Sequence, residues 1–499
     1  MLTADWIVAA LYVAGVVALG LWLGGRQAGA SDYFLGRHRL PWWAILISVV
    51  ATETSALTVI SIPGIGYATN LTFLQLAFGY LIGRSVVAWL LLPRYFHGEV
   101  QTAYQILGER WGGGARKASS AVFMVTRALG DSVRVFATAI PLAVITGWSY
   151  PTSILALGAA TVLYTYTGGL RAVVWVDVVQ WFVYVLAGVA ALAVALQLEP
   201  GALAAGAAAG KLQVVDLTVS LTNPYTFLTA LVGGAMLSAA SHGTDHLIVQ
   251  RLLATRALRE ARLALVGSGL VVILQFALFL VVGVALWTAF PEGRALRGDE
   301  VFPRFITTHL SGGLAGLAVA GLLAAAMSTI ASSLNSLASA ATHDYYAPLT
   351  GRKDEAHLLR AGRVFTLIWA VVLVGGALLF KNRNAPVVVV ALSIASLTYG
   401  ALLGTFVLAR FERVRQRDAV TALVAGAAAM AVVVFAAQLA PLAGNPRWLV
   451  ALSRLAWPWY VPLGTAITVC VGLASSRVPA RTGVRARQGT RARGTGGTE

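Results

Sequence analysis

Acidic residues and cysteine are scarce in this chain. Only 20 of 499 residues are Asp or Glu, and all charged residues together make up 11%, where a soluble domain carries about a quarter. A charge-poor chain in which 58% of residues are hydrophobic cannot hide its apolar surface in water. An all-β or α/β enzyme is thereby excluded, and a polytopic membrane protein is implied. The single cysteine, Cys470, excludes an intramolecular disulfide framework and any cysteine-built zinc or iron–sulfur centre. No Ser/His/Asp triad, phosphate loop or metalloprotease motif is present, so the chain does not read as an enzyme.

What the chain has instead is long apolar runs and 51 glycines, with a mean hydropathy of +0.76. A spanning helix needs about 20 apolar residues. On that measure spans fall at 5–24, 42–66, 71–93, 118–146, 150–167, 173–197, 225–250, 262–289, 303–343, 362–380, 385–409, 419–440 and 455–475, thirteen in all. The first has no basic leader and is too long for a signal peptide core. The net charge of +17 brings no nucleic-acid motif with it. It follows instead from basic residues at helix ends. With the N-terminus outside, 26 Lys/Arg fall in inside segments and 8 in outside ones, which predicts N-out, C-in in the cell (inner or plasma) membrane. The Arg/Gly/Thr-rich stretch 477–499 is expected to be a disordered cytoplasmic tail facing anionic lipid.

Two spans carry helix-breaking patterns. The second contains Ser61-Ile62-Pro63-Gly64-Ile65-Gly66, and the seventh contains Ser238-Ala239-Ala240-Ser241-His242-Gly243-Thr244-Asp245. Interrupted helices at matching places in two halves point to an inverted repeat with a midplane site, although Gly and Pro are also common in ordinary membrane helices. Glu53, Arg84, Arg127, Asp131, Arg134, Asp177 and Asp245 lie in or at the edge of spans, where each must face protein or water. Arg127 and Arg134 flank Asp131 on one helix face, which leaves one guanidinium over, either for an organic carboxylate or for pairing across helices with Glu53, Asp177 or Asp245. In the ninth span Ala325, Ser328, Ser332 and Ser336 share a face, with Thr329 beside them. That face suits either close packing through small residues or an oxygen-lined alkali-cation site. His242 and His246 stand four apart without a third metal ligand.

Four motifs together resemble the sodium/solute symporters, the group of proline, sodium–glucose, sialic-acid, iodide and monocarboxylate carriers. They are Ala51-Thr52-Glu53-Thr54-Ser55-Ala56 with Pro63-Gly64, the stretch Gly168 to Gln180, Gly243-Thr244-Asp245 through Arg251, and Ala324 to Thr329. The resemblance implies an all-α integral membrane protein with a LeuT-like core of two inverted five-helix repeats, 31–200 and 201–412. One extra helix would precede them (1–30) and two would follow (413–476). It implies sodium held by the carbonyls of Ala51, Thr54 and Ala325 and the hydroxyls of Ser328 and Thr329. A second sodium would use Asp177, Ser328 and Ser332, with Ala331 departing from the pattern. Glu53 is expected beside the sodium or as a titratable group. Leu57 and Thr58 stand where sugar carriers present a Glu-Gln pair.

These features predict a sodium-coupled importer of a small polar or anionic organic solute, working by alternating access. The solute would sit near Ser55, Thr58, Gln75, Arg134 and Asp245. Its partners would be the solute, sodium and the lipid bilayer, with no nucleic acid and no obligatory protein. A proton-coupled carrier using Glu53 or Asp177 is the alternative within the class; a transporter-like sensor and a channel are the others.

Overall fold

The structure is a computed structural model that describes residues 3–25, 27–98, 100–310, 312–380 and 387–477, apart from the side chains of 57, 140–141, 144–145, 387–393 and 396. The stretch 478–499, expected to be the tail, lies outside the described residues. Among those residues every regular element is helical.

The main helices are α1 (Thr3–Gly24), α2 (Trp42–Glu53), α3 (Ala56–Ala68), α4 (Leu74–Leu90), α5 (Gly113–Thr146), α6 (Tyr150–Leu198), α7 (Phe227–Gly243) and α8 (His246–Leu253). They continue as α9 (Leu258–Ala289), α10 (Gly298–His309), α11 (Leu314–Ala340), α12 (Glu355–Leu379), α13 (Val387–Leu408), α14 (Gln416–Val434) and α15 (Tyr460–Ser475). Among the described residues seven helices are long and apolar enough to span a bilayer, and the bent pair α2–α3 makes an eighth. α4 and α7 are shorter apolar helices, and α5 carries three charges in its apolar stretch.

The segments expected at 150–167 and 173–197 are joined. α6 runs helically through both and breaks only at Gly169, whose φ of 55° and ψ of −158° turn the chain. A side chain there would lie 2.4 Å from the Tyr33 carbonyl, so only glycine fits. The ninth segment, expected as one span at 303–343, is two helices. Gly312 and Gly313, both at positive φ, separate the half-exposed α10 from α11. α11 is the buried axis of the molecule, and nearly every residue from Ala315 to Ala340 is buried. Its alanines and serines let neighbouring helices approach closely, which is how membrane helices pack without a hydrophobic driving force.

Candidate functional site

The second span breaks, but not where its proline stands. α2 ends at Glu53; Thr54 (φ −82°, ψ 95°) and Ser55 (φ −83°, ψ 167°) are extended, and the chain resumes as α3 at an angle of 65°. Pro63 lies inside α3. Its neighbours serve packing instead: a side chain at Gly64 would reach within 2.4 Å of the Gly298 carbonyl, and one at Gly66 within 2.2 Å of Leu280's. The break at Thr54–Ser55 leaves carbonyls of the last α2 turn, Ala51's among them, without helical partners. In the seventh span the expected interruption is present, between Gly243 and His246.

Beside these two breaks lies a cavity of about 220 Å³. Its polar lining includes Glu53, Ser55, Thr58, His242, Tyr399 and two guanidinium groups, Arg127 and Arg134. Of the expected solute residues, Ser55, Thr58 and Arg134 therefore line it. Gln75 does not. It is wholly buried, donates to the Thr72 and Tyr225 carbonyls (3.1 and 2.8 Å) and accepts the Asp216 N–H (3.1 Å). Asp245 lies off the main cavity, against a second void of about 20 Å³ beside Asp131 and Tyr399. It caps α8 by accepting the Leu247 N–H at 2.9 Å, and it also accepts from Arg127 and the Tyr399 hydroxyl.

The buried charges pair across helices. Arg84 bonds Glu53 and donates to Ser268 Oγ at 2.6 Å. Arg127 bonds Asp245 and lies 3.4 Å from Asp131, while Arg134 bonds Asp131 at 2.8 Å. The expected pairing across helices is present, made by Arg127 rather than Arg134: Asp245 comes from another helix and supplies the second acid. Arg134 nonetheless keeps about a quarter of its side chain accessible in the cavity, the most open of these arginines. His242 lies 3.7 Å from Glu53 with its Nδ1 beside the Ser241 hydroxyl at 2.8 Å.

At the proposed sodium ligands, Ala51, Thr54, Ala325, Ser328 and Thr329 are all buried. Thr329 donates to the Ala325 carbonyl at 3.0 Å, and Ser328 donates to Asp177 at 2.6 Å. Thr52 and Ser332 hydroxyls meet at 3.2 Å, joining the α2 end to α11. The group expected to hold a second sodium is brought together, but around an arginine. Arg251 Nη2 reaches both Asp177 (3.3 Å) and Ser332, and its Nε donates to Ser48 at 2.9 Å. Arg251, one of the 26 basic residues expected in inside segments, is instead fully buried at the end of α8. Its place in the seventh-span motif, six residues after Asp245, is the signal that could have marked it as a core residue. Tyr399 and the cavity aromatics Tyr225 and Trp457 carried no comparable signal.

Two broken helices, a buried hydroxyl-rich axis and a cavity between them define a secondary transporter. The chain belongs to the sodium:solute symporter family, whose model matches residues 33–426. It is 26% identical to a sodium/sialic acid symporter of Aliivibrio fischeri over 481 residues, 94% of this chain and 92% of that one. It is also 26% identical to human sodium-coupled monocarboxylate transporter 1 over 421 residues, covering 81% and 68%. Other relatives are named for glucose and iodide. The substrate-bound, outward-open structure of a Na+-coupled sialic acid symporter superimposes with a TM-score of 0.82 at 24% identity, over 96% of this chain and 98% of that one. The fold is thus LeuT-like. The chain is a multi-pass, sodium-coupled solute symporter and not an enzyme, and sodium is its co-substrate rather than a cofactor.

Proposed function

We propose that this symporter imports a small organic solute with a polar or anionic head, bound against Ser55, Thr58 and Arg134. The observation that carries the reading is the Arg134 guanidinium, about a quarter exposed, on the wall of a cavity flanked by two helix breaks. A carboxylate there gains two parallel hydrogen bonds from a planar donor. The named substrates of the relatives include sialic acid and monocarboxylates, both acids, which supports an anionic head.

Sodium is assigned to the α2–α11 junction, with the carbonyls of Ala51, Thr54 and Ala325 and the hydroxyls of Ser328 and Thr329 as ligands. A hard cation prefers such oxygens. Its binding would tie the broken second span to the axis and hold the outward-facing state. Inward movement of one charge adds about 2.3 kcal/mol per 100 mV of membrane potential. Glu53 and Asp177 are each paired with a guanidinium, Arg84 and Arg251, which favours sodium over proton coupling. Arg251 on Asp177 and Ser332 favours a single sodium per cycle. The N-terminus is assigned outside and the C-terminus inside the cell.

The test is uptake by proteoliposomes of an organic anion selected by thermal-shift screening. Uptake should follow an inward sodium gradient at fixed pH and survive a protonophore. Uptake driven equally by a proton gradient without sodium would refute the coupling.

A further inference from the structure

Besides its polar groups the cavity is lined by five rings, Phe73, Tyr80, Tyr225, Phe276 and Trp457. Four of them run as a connected chain: Tyr225 to Phe73 at 5.3 Å between centroids, Phe73 to Phe276 at 5.6 Å, and Phe276 to Tyr80 at 6.4 Å. All three pairs are inclined by 55–67° rather than stacked. Trp457, beside the Tyr225 hydroxyl, completes the wall of rings.

Trp457 comes from outside the matched family region, in the Trp457-Pro458-Trp459 turn that leads into α15. Two contacts hold that turn in place, and a third fixes the ring beside it. The Ala456 N–H donates to the Leu221 carbonyl at 2.8 Å. The Pro458 backbone and ring lie so close to α7 that a side chain at Gly233 would come within 2.3 Å of Pro458 Cβ. Tyr225, the ring beside Trp457, has its carbonyl pinned by the buried Gln75 side chain. The same amide receives the Asp216 N–H, while Lys211 clamps the Tyr67 and Thr69 carbonyls at 2.8 and 2.9 Å. The connection from 199 to 226 is thereby strapped across the ends of α3 and α4, with Tyr225 fixed in the cavity wall. These bonds explain why Gln75 is buried without touching the cavity.

Two of the rings are phenylalanines and the polar atoms of Tyr225 and Trp457 bond each other, so the wall rewards apolar surface at the far end of a solute, with the Tyr80 hydroxyl as its polar group. The volume of about 220 Å³ corresponds to roughly seven water molecules at liquid density, which suits a compact solute. We infer that the symporter selects organic carboxylates bearing an apolar or aromatic body, with the head on Arg134 and the body in the ring wall, and that Trp457 is a specificity-determining residue. Gln75 is a positioning residue that acts through Tyr225. The inference rests on the anionic-head reading above.

The test uses purified full-length protein in detergent with sodium, and acetate, butyrate, hexanoate and phenylacetate as probes. Affinities are read by calorimetry or thermal shift. Affinity should climb about fourfold per added methylene, the value of one buried CH₂, up to hexanoate, with phenylacetate in the same range. Trp457→Ala should weaken phenylacetate at least tenfold and acetate less than twofold, and Trp457→Phe should restore most of the difference. Gly233→Ala, which displaces the turn without altering a cavity side chain, should reproduce part of the loss. Gln75→Leu should do the same through Tyr225. A flat series in the wild-type protein would overturn the inference, as would an undiminished slope in Trp457→Ala. If Trp457→Ala does not fold, Trp457→Leu decides: it keeps apolar bulk but must lose the phenylacetate preference. A slope that persists identically in potassium would contradict sodium coupling and leave the ring wall standing. A slope that persists while Arg134→Lys leaves every affinity unchanged would contradict the head-group assignment alone.

Discussion

At the scale of single residues, the buried charges decide what the site can do. Arg134 pairs with Asp131 while Arg127 bonds Asp245, and Arg134 is the arginine left most open to the cavity. Arg134→Lys keeps a positive charge for Asp131 but loses the planar fork. Apparent affinity for a carboxylate solute should fall more than tenfold, about 1.4 kcal/mol or more, with sodium-induced stabilisation retained. A variant that loses stability and expression, yet binds solute normally, would make Arg134 structural. Asp177 is a different case. It is buried with Arg251, so Asp177→Asn strands a guanidinium and should cost about 3 kcal/mol or more. Thermal unfolding in detergent checks this, and Asp177→Asn with Arg251→Gln should recover part of the loss. Apart from Arg251, these acids and arginines are visible in the sequence as residues out of place in apolar spans. Their pairing was legible only where both partners lie within one helix, as for Arg127, Asp131 and Arg134. Asp245 with Arg127 and Asp177 with Arg251 depend on helices far apart in the chain.

At the scale of elements, interruptions place the site, and here the sequence was half legible. Gly243-Thr244-Asp245 marks the break between α7 and α8 because a small flexible residue precedes a side chain that caps the next helix. The second-span break falls at Thr54–Ser55, where no proline or glycine stands, while Pro63 is accommodated within α3. The reason is packing. Gly283 of α9 sits directly under the Pro63 carbonyl, where a side chain would come within 2.0 Å, so α9 supports the helix on that face. Gly283→Ala should therefore lower the unfolding temperature, while Gly375→Ala, with nothing within 4 Å, should leave it within error. Equal behaviour of the two variants would show that close packing of α3 on α9 contributes nothing. The segment around 310–313 was missed for a simpler cause. Its glycine pair sits between two apolar stretches, and hydropathy alone runs them together.

At the scale of the whole molecule, orientation and coupling are the claims to test. With Cys470 replaced by serine, a cysteine at Ala208 should react with an impermeant thiol reagent on intact cells, and one at Thr490 only after permeabilisation. The reverse pattern would invert the topology proposed from the Lys/Arg distribution. The central claim is that sodium binds where the broken second span meets α11, through Ser328 and Thr329. The most direct measurement is a sodium titration of the thermal stability of purified protein, with potassium holding ionic strength constant. The wild-type protein should be stabilised by sodium and not by potassium. Ser328→Ala and Thr329→Ala should each raise the sodium concentration for half-maximal stabilisation by about tenfold, the effect of ~1.4 kcal/mol of lost ligand energy. Unchanged sodium dependence in both folded variants would contradict the account.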